Sequence, residues 1–260
     1  MPTIAIVQMA VIDGEIDKNL NKVERLFSAY PGADIYLLPE LFTTGYDKHS
    51  WRSSGDFHYD VAVRIGVLAK RINAVVCGSL AIKDGDNLYN RMLAIGPDGT
   101  ELARYDKIHL FKLMQEDKYF TPGRNLGVFE FRGARFGMAI CYDLRFPAMF
   151  QKMAADGVHA FLVSSEWPHP RCDIIELLAR ARAVENQCFL ASSNRVGISA
   201  DGTEFCGGSL VTGPGGRLRS MDETEEEGIL LADISAGKIQ SIRKTIDVLS
   251  DRVSCIDLTA

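Results

Sequence analysis

Three reactive side chains stand where apolar runs of this 260-residue chain stop. "IYLLPE" ends at Glu40, "RYDKIHLF" carries Lys107 and "MAICYD" carries Cys141. Open α/β sheets gather ligand chemistry at the carboxyl ends of their strands, so a carboxylate, an ammonium and a thiol at such ends can converge. Only the thiolate is a good nucleophile, and a free thiol titrates near ~8.5. A neighbouring carboxylate can take its proton as general base. A lysine can hold the oxyanion that forms when sulfur attacks a carbonyl or imidate carbon. The backbone N–H of Tyr142, the residue after Cys141, is a natural second donor. The set predicts acyl transfer through a thioester that an activated water then opens. His109, two residues past Lys107, leaves open a structural role or a papain-like base. None of the other histidines, His169 included, shows ligand spacing.

The elements that must position these residues alternate between strand and helix. "TIAIVQMA" reads as a buried first strand. "DKNLNKVERLFSAY" puts Leu20, Val23, Leu26 and Phe27 on one helical face, with Asp17 as its expected N-cap. A second helix is expected over about 60–72, then a meander with a Gly-Asp turn and a "PDG" turn. "GVFEFRGARFGMAICYD" predicts a hairpin turned at Arg132-Gly133. The second half predicts helices near 146–156, over "DIIELLARARAVENQ" and from about 235, with strands between them. No linker, fixed-period repeat or low-complexity segment interrupts the chain, which is expected to form a single domain over 1–260. Strand–helix alternation mixed with hairpins predicts an α/β fold with mixed sheets. Strands without polar alternation predict sheets covered on both faces.

Composition excludes several function classes. The chain is 47% hydrophobic and 24% charged with a net charge of −5, and its basic residues are interspersed with acidic ones, which argues against a nucleic-acid partner. No apolar run approaches the ~18 residues of a membrane span. The N-terminus lacks a basic region and cleavage site, so a cytoplasmic location is expected. The acidic run at 222–228 is expected to be a solvated turn. The six cysteines, at 77, 141, 172, 188, 206 and 255, form no CxxC pair. Zinc-site spacing is absent, and apart from Cys141 they are expected to be buried and inert.

"LLPELFTTGY", "YDKIHLF" and "AICYDLRFP" resemble the Glu, Lys and Cys motifs of the nitrilase, or carbon–nitrogen hydrolase, superfamily, in that family's order. "GSLAIKDGDNLYNRMLAIGPDG", "TPG" at 121–123, "ARAVENQCFLASSNRVG" and "GGSLVTGPGG" extend the resemblance over nearly the whole chain. It implies a four-layer αββα sandwich of two mixed sheets with helices on both outer faces. It also implies a catalytic Glu40–Lys107–Cys141 triad and a second glutamate, Glu116, holding Lys107 and the substrate. No cofactor or metal is implied, and a homodimer or higher homo-oligomer is. Asp143 and Arg145 are expected to brace the turn after Cys141 as an ion pair.

The substrate is expected to be a small amide. Pocket walls should come from loops after strand ends, which singles out Trp167 in "SSEWPHPR" and, after Glu116, Tyr119 and Phe120. Many relatives carry asparagine before this Trp-Pro. Glu166 stands there instead and would disfavour a nearby anion unless it pairs with Arg171. The motifs look most like the omega-amidase group, which releases ammonia from the side-chain amide of 2-oxo acids. Arg171 is then the expected anchor for the substrate carboxylate. N-carbamoyl amino-acid hydrolases, aliphatic amidases and nitrilases share the same triad.

Overall fold

A computed structural model describes residues 2–53, 58–221 and 226–253. Cys255 and residues 222–225 of the acidic run lie outside the described residues. Of the remainder of that run, Glu227 pairs with Lys22 at 2.5 Å.

The first half contains β1 (Thr3–Ala10), α1 (Ile16–Ala29), β2 (Ile35–Leu37), α2 (Lys48–Ser53), α3 (His58–Ile72), β3 (Val75–Asp84), β4 (Asn87–Ile95) and β5 (Glu101–Asp106). The hairpin β6 (Gly127–Phe131) and β7 (Ala134–Ile140) follows, then α4 (Pro147–Ala155), β8 (Ala160–Ser165), α5 (Cys172–Asn186) and β9 (Phe189–Ile198). The chain continues through β10 (Glu204–Cys206), β11 (Leu210–Thr212), β12 (Leu218–Ser220), β13 (Gly228–Asp233) and α6 (Ala236–Thr245).

The fold is α/β with mixed strand pairing. β1, β2 and β3 run parallel, with β4 and β5 added antiparallel and β13 antiparallel on the other side of β1. β7, β8 and β9 are likewise parallel, flanked by antiparallel β6 on one side and β11 on the other. The two sets face each other and join at one place. Met9 and Ala10 at the end of β1 pair with Arg195 and Val196 of β9, giving one continuous hydrogen-bonded path.

The strand pleat sorts side chains between two apolar clusters. Ile4 and Ile6 of β1 share a cluster with Phe136, Met138 and Leu162 of β7 and β8. Ala5, Val7 and Met9, on the opposite face of β1, pack with Leu20, Val23 and Phe27 of α1 and Ile65 and Leu68 of α3. Period-2 alternation puts successive residues on opposite faces, and here both faces are apolar because sheet covers one and helix the other.

Most predicted elements are present, with shifted ends. α1 begins before Asp17. Glu15 holds the cap position without a side-chain bond, and Asp17 lies in the first turn, paired with Arg64. The β6–β7 turn falls at Arg132 and Gly133, with φ of 46° and 72°, the pair of positive values that a tight two-residue hairpin requires. Cys172 and Cys206 are joined as a disulfide, which corrects the expectation that both are inert thiols. Pro168 bridges Phe205, and this contact helps hold together the two segments whose cysteines lie 34 residues apart.

The strand ends that matter meet at one rim. The Glu40 amide donates to the Ser165 carbonyl, and Ser164 Oγ donates to the Leu38 carbonyl at 2.8 Å, so the turn after β2 is tied to the end of β8. Lys107, next after β5, donates its amide to Asn90 of β4 and accepts from the Gly123 amide, both at 2.9 Å. A Cβ at Gly123 would overlap the Asp106 carbonyl, a backbone atom that cannot swing away. Gly123→Ala is therefore expected to cost about 2 kcal/mol, within the range of small overpacking changes. Urea unfolding measures it, and an unchanged midpoint would contradict this close approach.

Candidate active site

Glu40, Lys107 and Cys141 sit within one buried cluster. Glu40 follows the carboxyl end of β2, Lys107 that of β5 and Cys141 that of β7. Cys141 opens a 3-10 turn over Cys141–Arg145 with φ of 42°, and Leu41, after Glu40, has φ of 43°. Non-glycine residues seldom adopt this left-handed conformation, which carries a cost of about 1–3 kcal/mol. Each sharp turn redirects the chain as its strand ends, so the side chain is presented at the rim.

Lys107 Nζ donates to Glu40 Oε1 and to Glu116 Oε1, both at 2.7 Å, with all three side chains fully buried. Glu40 Oε1 also accepts from Asn90 Nδ2 at 2.8 Å, and Glu40 Oε2 accepts from the Glu166 amide at 3.1 Å. Tyr46 Oη donates to Glu116 Oε1 at 2.5 Å and reaches Glu40 Oε1 at 3.3 Å. The Phe111 amide donates to Glu116 Oε2 at 2.7 Å. The Glu40 carboxylate also acts on the Cys141 thiol, where its charge favours the protonated sulfur.

These contacts set the proton inventory. Burial, followed by the charges of Glu40 and Glu116, pushes the Cys141 thiol well above its ordinary range despite the opposing pull of Lys107. The resting sulfur is a thiol. Burial alone would lower the Lys107 pKa, but the charges of Glu116 and Glu40 outweigh it, so the amine is held as ammonium. Burial raises the Glu116 pKa, against the Lys107 charge. Tyr46 is raised well above its usual value by burial and then by Glu116 and Glu40, and stays a donor.

The turn after Cys141 is braced differently from the expectation. Asp143 does not pair with Arg145. Buried, it accepts from Tyr105 Oη at 2.7 Å, the Ile140 amide at 2.9 Å and His109 Nδ1 at 2.8 Å. His109 stacks on Phe146 with ring centroids 3.7 Å apart; its ring is committed to bracing the turn, which removes the papain-like alternative. Arg145 instead lies over the Trp167 ring, 5.4 Å from its centroid. The small pocket at Cys141 is lined by Phe111, Tyr142, Arg145, Trp167, Pro168 and Arg171. Pro168 and Arg171 also line an adjoining cavity of about 590 Å³ that Tyr46 borders.

Trp167 and Arg171 thus lie where a pocket wall was expected, whereas Tyr119, Phe120 and Glu166 do not. Tyr119 and Phe120 pack against Trp51, at centroid distances of 5.6 and 4.7 Å, because the two turns carrying Glu116 direct the following aromatic residues into a separate apolar cluster. Glu166 is buried and pairs with Arg195, not Arg171. Its backbone, not its carboxylate, reaches the site. Sequence reasoning missed Tyr46, Asn90 and Arg145 as site residues. All three lie inside motifs already singled out, "LLPELFTTGY", "NLYNRML" and "AICYDLRFP", but nothing in their type or spacing points them inward.

The chain is similar to known proteins over nearly its whole length. The family model for carbon-nitrogen hydrolase matches residues 3–244. A 2-oxoglutaramate amidase of Bacillus subtilis is 36% identical over 258 residues, covering 96% of each chain. A nitrilase of Pyrococcus abyssi is 34% identical over 97% of each. The solved structure of a CN-hydrolase superfamily protein from Xanthomonas campestris, with an arsenic adduct in its active site, superposes with a TM-score of 0.91 at 29% identity, covering 97% of each chain.

Behind the site, Arg195 is held between Glu166 at 3.2 Å and Asp13 at 3.0 Å. Burial lifts the Glu166 pKa from its ordinary 4.5 to about 8, against the pull of Arg195. The folded chain therefore keeps a proton that the unfolded chain releases between those two values. The unfolded state then binds fewer protons, so this group makes stability fall as pH rises through that window. Glu166→Gln removes the slope. Its stability relative to the parent chain is expected to rise between pH 5 and pH 8, by at most about 1.4 kcal/mol per pH unit. Urea unfolding at both pH values measures this, and parallel pH profiles would refute it.

Proposed function

The chain belongs to the carbon–nitrogen hydrolase family, and from that premise we propose that it hydrolyses the side-chain amide of a small 2-oxo acid, with Cys141 as nucleophile and Glu40 as general base. The observation that carries the reading is the buried Glu40 carboxylate, 2.7 Å from Lys107 and acting on the Cys141 thiol beside it.

Because the resting sulfur is a thiol, proton transfer must accompany attack. Cys141 Sγ bonds to the amide carbon as its proton passes to Glu40. The oxyanion takes hydrogen bonds from Lys107 Nζ and the Tyr142 amide, donors already oriented before charge develops. Protonated Glu40 then gives its proton to the departing nitrogen, the C–N bond breaks and ammonia leaves a thioester. Glu40 next takes a proton from water, whose oxygen attacks the thioester carbon. The C–S bond breaks, and sulfur regains the proton from Glu40 as the acid leaves. Glu116 and Tyr46 act through Lys107 by fixing its position.

A 2-oxo acid substrate brings a carboxylate. Arg145 and Arg171 line the Cys141 pocket, and both lie against aromatic rings. With Glu166 paired to Arg195, the carboxylate expected to repel an anion is turned away. The Bacillus relative's name supports the same substrate class. The Pyrococcus relative keeps nitriles as a second reading. A single domain and a homodimer belong to this proposal too. The family match over 3–244 supports the first, and the exposed Leu177 and Val184 of α5 support the second. Among the described residues no helix is long and apolar enough to cross a membrane; a cytoplasmic site of action is part of the proposal.

Ammonia release from a panel of 2-oxo acid amides, carbamoyl amino acids, aliphatic amides and nitriles tests the reading. Turnover should be fastest with the first class, and preferential nitrile turnover would replace it. Cys141→Ala should lower kcat by about 1,000-fold or more, as loss of a covalent nucleophile does, while Cys77→Ala retains activity. Arg145→Ala and Arg171→Ala should each raise KM for the 2-oxo acid amide about tenfold, the worth of one charge-assisted hydrogen bond. They should leave a neutral amide of equal length nearly unaffected. An equal loss on both substrates would remove the carboxylate anchor.

A further inference from the structure

Away from the cluster around Lys107, His169, Cys172 and Cys206 bring an imidazole nitrogen and two sulfurs within 4.8 Å of one another. The sulfurs are bonded as a disulfide in this structure, and His169 Nδ1 is 3.0 Å from Cys172 Sγ. We infer that when this disulfide is reduced, His169, Cys172 and Cys206 form a zinc(II) site, and that the ion then takes over the disulfide's part in pinning the pocket wall to β10.

The donors stay together without the covalent bond because the backbone holds them. Pro168 bridges Phe205 in antiparallel fashion. The His169 amide donates to the Glu204 carbonyl at 2.9 Å, and the Cys206 amide to the Trp167 carbonyl at 3.0 Å. Trp167 Nε1 closes the loop on the Arg171 carbonyl at 2.7 Å. None of these bonds involves sulfur. Around a tetrahedral zinc ion, thiolate and imidazole donors sit roughly 3.5–4 Å apart, a separation within the span that the three already occupy.

The donor set selects the ion. Two thiolates and one imidazole suit zinc and disfavour magnesium and calcium, which take oxygen ligands. Cys172 is the first residue of the 15-residue α5, where the helix dipole favours a negatively charged ligand. His169 is exposed, so an ion can enter from solvent and keep water at its fourth position. His169 and Cys172 form a local chelate three residues apart, and Cys206 arrives from the far side of α5 and β9.

The chemistry balances. A dithiol supplies two electrons and two protons, becomes a disulfide itself and leaves Cys172 and Cys206 as thiols. Zinc then displaces both thiol protons to solvent with no change in its own oxidation state. The covalent bond and the ion are mutually exclusive, and each closes the same loop. That loop carries α5 at one end and adjoins Trp167 and Arg171, which line the Cys141 pocket.

The test uses the full chain, reduced with a dithiol under anaerobic conditions, freed of metal and titrated with cobalt(II). Expected are thiolate-to-cobalt charge-transfer absorbance and tetrahedral d–d bands saturating at about one ion per chain, discharged by zinc. The signal should be absent before reduction and in Cys172→Ser and Cys206→Ser. It should persist in Cys141→Ala, and His169→Ala should weaken binding about tenfold or more, as loss of one ligand implies. Zinc at a hundredfold excess over its Kd should raise the Tm of the reduced chain by about 5 °C, with no rise in Cys206→Ser. Absence of the cobalt bands from the reduced chain, their survival in Cys172→Ser, or their loss in Cys141→Ala would overturn the assignment. An unchanged affinity in His169→Ala would do the same for the imidazole ligand.

Discussion

The structure around the proposed reaction depends on one buried ammonium. Lys107 lies out of water between Glu40 and Glu116, 2.7 Å from each. Removing such charges from solvent costs several kcal/mol per ion, and the interior recovers it only where geometry and further hydrogen bonds satisfy every lone pair. Here Asn90, Tyr46 and the amides of Phe111 and Glu166 supply those bonds. The cluster is a constraint on the whole fold, because its members come from the segments after β2 and β5, from within β4 and from the end of β8. None can move without leaving a buried charge unpaired.

The same constraint explains the state of the sulfur. Two acids face one fixed cation, so no surplus positive charge is available to hold a resting thiolate, and the Cys141 proton stays on sulfur. In the proposed reaction, reactivity is coupled to substrate arrival, since only a bound carbonyl carbon gives the sulfur electrons a destination while Glu40 takes the proton. A thiol kept neutral until that moment is also a poorer target for oxidants and adventitious alkylation.

Beyond this cluster, the outer pocket is built of cations against aromatic faces. Arg145 rests over Trp167 and Tyr142, and Arg171 over Phe111. A ring's negative face holds a guanidinium in place without neutralising it, leaving its N–H groups for a ligand. Glu166 would have cancelled that charge had it faced the pocket. Its pairing with Arg195, which Asp13 also holds, turns it away from Arg145 and Arg171.

What the sequence by itself determined is where chemistry can occur and how the chain turns locally. Glu40, Lys107 and Cys141 were legible because an apolar strand that stops at a polar residue presents it at a strand end. The Arg132-Gly133 hairpin was legible because its backbone requirements lie in two adjacent residues. Only the tertiary structure decided the partners. Whether Glu166 meets Arg171 or Arg195, whether Arg145 meets Asp143 or Trp167, and whether Cys172 finds Cys206 all depend on which strand ends become neighbours. The Glu166 amide reaches Glu40 across 126 residues of chain. A side chain's type and local spacing say what it can bond; long-range packing, set by the burial of two sheets and their covering helices, says what it does bond.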